Sequence, residues 1–105
     1  MNRSIRSLIA SAAMATAGAA AAQGIDARSA AYIAANCANC HGTQGRSSGA
    51  MPSLAGLGKP QLIEAMHQFR DGKREATLMH QIAKGYTDAQ IEALAEHFAR
   101  LPATR

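Results

Sequence analysis

Few side chains in this sequence can build a large hydrophobic core. The 105 residues include no tryptophan, two tyrosines, two phenylalanines and two cysteines. Because only two residues separate the cysteines, a disulfide between them would close a very small loop and stabilise the fold little. A chain of this length forms one domain at most, and so small a domain usually needs disulfides, a metal or a cofactor besides apolar burial. We therefore expect a bound group to complete the core.

The sequence also lacks the marks of several other classes of protein. No stretch alternates apolar and polar residues for long enough to predict a β-strand, and there is no internal repeat. The basic residues are scattered and no aromatic residues are interleaved with them, so the chain lacks the surface of a nucleic-acid-binding protein. These absences favour a small all-α domain with no nucleic-acid partner.

Residues 1–22 have the composition of a secretory signal peptide. Arg3 and Arg6 precede an apolar run that ends in Ala20-Ala21-Ala22, which suits cleavage after Ala22. The alternative is an uncleaved anchor, but a run of about 15 residues is shorter than the roughly 20 needed to span a bilayer. We expect residues 23–105 to form the mature chain in the periplasm, with no membrane span. Loss of the two arginines lowers the formal net charge from +4 to +2.

Apolar periodicity and capping signals predict four helices, at residues 26–36, 60–70, 76–84 and 88–101. The last is the clearest, because Thr87 and Gln90 can form a capping box at its start and Pro102 follows its end. Residues 41–59 contain five glycines and connect the first two helices. A loop of this length usually has a function of its own. The fold class that follows is all-α, with one long structured loop.

The two cysteines occur in the sequence Cys37-Ala38-Asn39-Cys40-His41, which is the pattern of covalent haem attachment. On a helical turn, two thiols at this spacing reach the two vinyl groups on one edge of a haem and form thioethers. The histidine that follows is then carried under the iron as its proximal ligand. Gly42 gives the backbone the freedom to leave the ring at once. We expect one haem c, with its iron bound to His41.

Three other interpretations of the motif are weaker. A zinc site needs further ligands at metal-binding spacing, and His67, His80 and His97 are not paired in that way. A thioredoxin-like redox pair follows a strand in an α/β fold, which this sequence does not predict. A plain disulfide would not need His41. Export favours haem, because haem c is attached outside the cytoplasm.

The second axial ligand of the iron has several candidates, namely Met51, Met66, Met79 and His80. Met66 lies on the apolar face of a predicted helix and is expected in the core. Met51 follows His41 so closely that its loop must still pass around the haem edge. Met79 lies far enough downstream to reach the opposite face, and we favour it. A methionine ligand raises the reduction potential, whereas a second histidine lowers it. His80 is the competitor, although we expect a surface histidine.

The stretches CANCHG, MPSLAGL and AMHQFRDGKREATLMHQIAKGYTDAQIEALAEHFA follow one another in an order that resembles small bacterial class I cytochromes c. The resemblance covers essentially all of residues 23–105. Within it, FRDGKREATLM and IAKGYTD are most similar to the haem domains of diheme bacterial cytochromes c, and above all to the cytochrome subunit of flavocytochrome c sulfide dehydrogenases. The sequence departs from the diheme relatives in two ways. It has a single CxxCH motif, which implies one haem, and it has His80 where those relatives have a glycine.

The resemblance implies the class I cytochrome c fold, in which about four helices surround one covalently bound haem. The first and last helices would cross near residues 30–34 and 94–98. Cys37 and Cys40 would form the thioethers, and His41 and Met79 would be the axial ligands. Two pocket residues are implied as well. The Pro52 carbonyl would accept the ring N–H of His41, and Tyr86 would line the methionine side of the haem pocket.

A haem with both axial positions filled by protein has no position for a substrate, so we expect one-electron transfer. The resemblance implies the haem subunit of a sulfide-oxidising flavocytochrome c complex, with a flavoprotein sulfide dehydrogenase subunit as partner. The chain would then be a non-catalytic subunit. The first alternative is a free-standing cytochrome c that serves a terminal oxidase or another dehydrogenase. The second is a haem enzyme or sensor with an open sixth position.

Overall fold

A computed structural model describes residues 24–104 of the chain, and the predicted signal peptide at residues 1–22 lies outside them. The described part is helical and has no β-strand, which confirms the predicted all-α class. No helix within it has both the length and the apolar character to cross a membrane. Its five α-helices are α1 Ala27–Ala34, α2 Ala38–His41, α3 Lys59–Arg70, α4 Met79–Ala83 and α5 Asp88–Arg100. Two short 3-10 turns, Ala35–Cys37 and Thr43–Gly45, flank α2.

The first helical stretch begins at a side-chain cap and runs on into the cysteine motif. The Asp26 carboxylate accepts a hydrogen bond from the backbone N–H of Ser29 at 2.8 Å, and this bond lowers the pKa of Asp26. After α1 the chain keeps right-handed helical dihedral angles through the 3-10 turn Ala35–Cys37 and enters α2. The helix predicted at residues 26–36 therefore continues as a 3-10 turn and then as α2. The two cysteines lie on these two elements.

Helix α5 has the cap and the buried face that the sequence predicts. Thr87 Oγ1 accepts a hydrogen bond from the Gln90 backbone N–H at 3.2 Å, and Gln90 Oε1 accepts one from the Thr87 N–H at 2.9 Å. Ile91, Leu94 and Phe98 are the largest fully buried side chains of the described residues. The helix ends at Arg100, one residue before the predicted end.

Helix α5 packs against both α1 and α3, and α3 also packs against α4. Small residues let these helices approach closely, because Ala34, Ala83 and Ala95 are all buried in the core. Met66 is buried there too, as predicted. The buried core cluster consists of Ala34, Leu62, Met66, Ala83, Ile91, Leu94, Ala95 and Phe98. The packing of α1 on α5 agrees with the expected contact between the first and last helices.

The third predicted helix, residues 76–84, is shorter in the structure. Helix α4 begins only at Met79, because Leu78 has φ −130° and so lies outside the helical region. The chain before it follows an irregular path on which the guanidinium of Arg74 lies 4.9 Å from the centre of the Phe69 ring. The apolar residues that predict a helix of two turns at 76–84 therefore lie on a loop followed by a helix of little more than one turn.

An ion pair joins the end of α3 to the start of α5. Arg70 Nη1 lies 2.6 Å from Asp88 Oδ1, and His67 Nε2 lies 3.5 Å from the same oxygen. The hydrogen bond from Arg70 lowers the pKa of Asp88, and Asp88 in turn raises the pKa of Arg70. The Asp88 carboxylate is largely exposed, so solvent screening leaves this pair with a small role in stability.

Two glycines with left-handed dihedral angles start the long loop after α2. Gly42 has φ +83° and Gly45 has φ +73°. Gly45 is buried against the ring of Phe98, where an added Cβ would lie 2.8 Å from a ring carbon. At Gly42 an added Cβ would overlap the backbone carbonyl oxygen of Arg46 and lie 2.6 Å from its carbon. Both positions therefore require glycine for conformation and for space.

We predict that Gly42→Ala lowers the free energy of unfolding by about 2–4 kcal/mol, the sum of a left-handed dihedral penalty and an overpacking penalty. The atoms that the new methyl group meets are backbone, so they cannot move aside as a flexible side chain can. Guanidinium unfolding followed by far-UV circular dichroism would measure the change. Gly49→Ala is the matched control, since no atom lies within 4 Å of its added Cβ. Equal stability of the two variants would contradict the prediction.

Candidate functional site

The two cysteines lie on one side of a continuous helical turn. Cys37 ends the first 3-10 turn with right-handed helical dihedral angles, φ −68° and ψ −25°, and Cys40 lies in α2. Residues three apart on a helix project from the same face. Both cysteines are free thiols, with Cys37 partly buried against the core and Cys40 exposed. The turn thus presents two thiols at the edge of the core, where a bound group can reach both.

Tyr86 belongs to the same neighbourhood as the cysteine turn. Burial raises the pKa of the Cys37 thiol, and burial likewise raises the pKa of the Tyr86 hydroxyl. The charge of Cys37 makes a smaller contribution that also raises the pKa of Tyr86. Both also pack against the core cluster. The role of Tyr86 on the methionine side of a haem stays a prediction.

His41 is the last residue of α2 and the only buried polar or charged side chain among the described residues, with 8% of its surface exposed. Its Nδ1 lies 2.7 Å from the backbone carbonyl oxygen of Pro52. A carbonyl oxygen only accepts hydrogen bonds, so Nδ1 carries a proton, and in the neutral ring Nε2 then keeps its lone pair. Metal-binding histidines have this arrangement. The contact is also the one that the cytochrome c resemblance implies between these residues.

Hydrogen bonds join the residues that follow Pro52 to the segment that follows His41. The backbone N–H of Ser47 donates to Ser53 Oγ at 2.9 Å, and the N–H of Leu54 donates to the Gly45 carbonyl at 2.7 Å. The two residues after Pro52 are therefore tied to residues that closely follow His41. This arrangement keeps the Pro52 carbonyl beside the imidazole ring.

The candidate sixth ligands differ in burial. Met79 is the first residue of α4, is partly buried and packs against the core cluster, whereas Met51 lies in the loop with 52% of its surface exposed. Met66 belongs to the core. His80 departs from expectation, because it is only partly exposed and its Nδ1 is buried without a hydrogen-bond partner. The interpretation of His80 as a surface residue is therefore corrected to a partly buried one.

The donor set fits a haem iron better than a simple metal ion. In residues 24–104 no three His, Cys, Asp or Glu side chains lie together as an ion site would require. An imidazole nitrogen and a methionine sulfur are instead axial ligands of haem in electron-transfer cytochromes, and thiols are the groups that attach the ring.

Exposed apolar side chains occur in the two segments that carry predicted site residues. Five large apolar side chains of the described residues are exposed, and four of them lie in the sequence after His41 or on either side of Met79, namely Met51, Leu57, Leu78 and Ile82. Single exposed apolar side chains are common on protein surfaces, and only a contiguous patch of them marks a binding surface. Leu78 and Ile82 are not among the site residues that the sequence predicts. The spacing of four residues between them would place both on one face of a helix. That spacing could have indicated a binding face, but a buried helix face has the same spacing.

Comparison with known proteins agrees with this geometry. The chain is 41% identical over 69 residues to the cytochrome subunit of sulfide dehydrogenase of Chlorobaculum tepidum, a match that covers 66% of this chain and 63% of the relative. It is 40% identical over 65 residues to cytochrome c-552 of Acidithiobacillus ferridurans, covering 62% of this chain and 28% of the relative. A thiosulfate dehydrogenase electron acceptor of Thiomonas intermedia is 39% identical over 70 residues, covering 65% and 32%.

The chain thus spans less than two thirds of the length of each of these relatives. The family profile described as cytochrome c matches residues 25–101, which include all the helices of the described residues and the whole cysteine motif. The match, the all-helical fold and the thiol–imidazole turn all lead to one assignment. This chain belongs to the cytochrome c family, whose members bind haem c.

Proposed function

We propose that this chain is an exported cytochrome c that carries one covalently bound haem and transfers one electron at a time in the periplasm. The observation that carries the proposal is the buried imidazole of His41, whose Nδ1 lies 2.7 Å from the Pro52 carbonyl. That bond fixes the ring orientation and leaves Nε2 with its lone pair for iron. Membership of the cytochrome c family supports the proposal.

Four side chains would hold the haem in this proposal. Cys37 and Cys40 would form the thioethers, and His41 Nε2 and the Met79 sulfur would be the axial ligands. The bound haem would supply a reversible ferrous–ferric couple. The side chains hold the geometry constant in both oxidation states, so little reorganisation accompanies electron transfer. With both axial positions taken by protein, no position is left for a substrate.

The proposal predicts a mass for the exported product equal to residues 23–105 plus one haem. Intact-mass spectrometry of the protein purified from the periplasm, run under denaturing conditions, would measure it. The double variant Cys37→Ser/Cys40→Ser should lose the added mass, because serine hydroxyls do not form the thioether. The exposed-loop variant Ser48→Ala serves as the control and should keep it. A wild-type product without the mass of a haem would refute the proposed function.

A second prediction concerns the sixth ligand. Met79→Ala should abolish the methionine-to-iron charge-transfer band near the red end of the visible ferric spectrum. Met51→Ala and His80→Ala should keep the band, because Met51 is exposed in the loop and His80 is not the proposed ligand. Visible absorption spectra of the three haem-loaded variants would test this. If Met51→Ala alone lost the band, the assignment of Met79 would be wrong.

The partner in this proposal is a flavoprotein sulfide dehydrogenase subunit. The relative from Chlorobaculum tepidum is named as the cytochrome subunit of such an enzyme, and 63% of its length matches this chain. A second candidate is a free-standing electron carrier. The Thiomonas intermedia relative, named as the electron acceptor of a thiosulfate dehydrogenase, favours that role. In both cases this chain would carry electrons and the partner would oxidise the substrate.

Purification from native periplasm would separate the two roles. A subunit should elute from gel filtration together with flavin absorbance, in a constant ratio of haem to flavin. The match to the sulfide dehydrogenase subunit predicts this co-elution. The same run at high salt is the control for weak charge-driven association, which salt would screen. Elution as a haem monomer free of flavin at low salt would favour the free-standing carrier.

A further inference from the structure

We propose that Arg46 is a positioning residue for the proximal ligand, and that its side chain sets the hydrogen bond between His41 and the Pro52 carbonyl. The inference rests on the proposed function, because it concerns the donor strength of His41 toward haem iron. It assigns to Arg46 a part in setting the reduction potential. Arg46 itself would not contact the iron.

Arg46 connects two parts of the chain that are distant in sequence. Its Nε donates a hydrogen bond to the backbone carbonyl of Pro102 at 2.9 Å, and its Nη1 donates one to Gln44 Oε1 at 2.7 Å. The backbone N–H of Arg46 also donates to the Thr43 carbonyl at 3.1 Å. The planar guanidinium holds the backbone acceptor and the side-chain acceptor in one fixed geometry, which an amine cannot do. The segment after α2 is thus attached to the tail that follows α5.

The residues on either side of Arg46 are those that hold the Pro52 loop. Gly45, before it, accepts hydrogen bonds from Leu54 at 2.7 Å and from Ala55 at 3.2 Å. Ser47, after it, donates to Ser53 Oγ at 2.9 Å. A shift of the backbone at Arg46 therefore moves both attachments of the residues that follow Pro52. The Pro52 carbonyl would move with them relative to His41.

The far end of this connection is the buried helix α5. Phe98 packs against Gly45, and its carbonyl accepts a hydrogen bond from the Gly56 N–H at 2.9 Å. These contacts hold the loop at its two ends through packing and backbone bonds. Arg46 adds an attachment through a side chain, so a substitution can remove this attachment while the backbone bonds stay in place.

The consequence for the iron has a definite sign. A hydrogen bond from Nδ1–H to a carbonyl makes the imidazole a stronger donor at Nε2 and stabilises ferric iron. Loosening that bond should therefore raise the reduction potential. Loss of a positive charge near the iron has the opposite effect. It stabilises ferric iron and therefore lowers the reduction potential. Positioning and simple charge effects can thus be distinguished by the direction of the shift.

The test uses haem-loaded Arg46→Lys and Arg46→Met, with Arg28→Lys and Arg28→Met as controls at an exposed arginine of α1. The reduction potential and the solvent-exchange rate of the His41 Nδ1 proton, measured by NMR on the ferrous protein, are the readouts. Arg46→Lys keeps the charge, so its potential should rise. The proton should exchange about tenfold faster in both Arg46 variants, as expected when one ordinary hydrogen bond is weakened. The Arg28 variants should match wild type.

Three results would overturn the proposal. Arg46→Lys with wild-type exchange and potential, whatever its thermal stability, would mean a purely structural role. A lower potential in Arg46→Met with unchanged exchange would mean a charge effect only. If the Arg46 variants do not fold, Gln44→Ala takes their place, since it removes the acceptor of Arg46 Nη1 without changing charge, and unchanged exchange there also refutes the inference. A wild-type protein without covalent haem would refute the proposed function itself, and intact mass identifies that outcome first.

Discussion

A buried imidazole needs a partner for its N–H, because an unsatisfied polar group in the interior costs free energy comparable to a lost hydrogen bond. In this protein that partner is the carbonyl of Pro52, 2.7 Å from His41 Nδ1. The bond determines which ring nitrogen carries the proton and in which direction the other points. The long loop must run where it does so that this carbonyl is available. Gly42 and Gly45 allow the backbone to take this path, and the side chains of Arg46 and Ser53 form hydrogen bonds that hold it.

The rest of the fold provides a rigid support from very small side chains. Alanines at positions 34, 83 and 95 let the helices approach closely, while Phe98, Ile91 and Leu94 are the largest fully buried side chains. A core with so few large side chains stabilises a domain only modestly. Two larger apolar side chains, Leu78 with 60% and Ile82 with 43% of their surface exposed, lie outside it at the start of α4 and within that helix. This distribution is the expected one for a protein that completes its core with a prosthetic group.

The sequence predicted the features that depend on local signals. The capping box of α5, the placement of the cysteines on a helical turn and the burial of Met66 each follow from residues a few positions apart. The start of α4 could not be predicted in this way, because its apolar residues also suit a longer helix and only the dihedral angle at Leu78 excludes one. The attachment of Arg46 to Pro102 joins residues 56 apart and ends on a backbone carbonyl, which any residue would provide. The partly buried state of His80 depends likewise on tertiary packing.

That long-range attachment has a consequence for the order of events during biogenesis. A polypeptide emerges from the ribosome or the translocon with its N-terminal end first, so residues 37–41 reach the folding compartment before Pro102 does. Until Pro102 is in place, the loop around His41 lacks the hydrogen bond that Arg46 donates to the Pro102 carbonyl. In the proposed function, haem attachment at the cysteine turn would come before this hydrogen bond forms. Because Pro102 follows the cysteine turn in the chain, the bond can form only after that turn has been made.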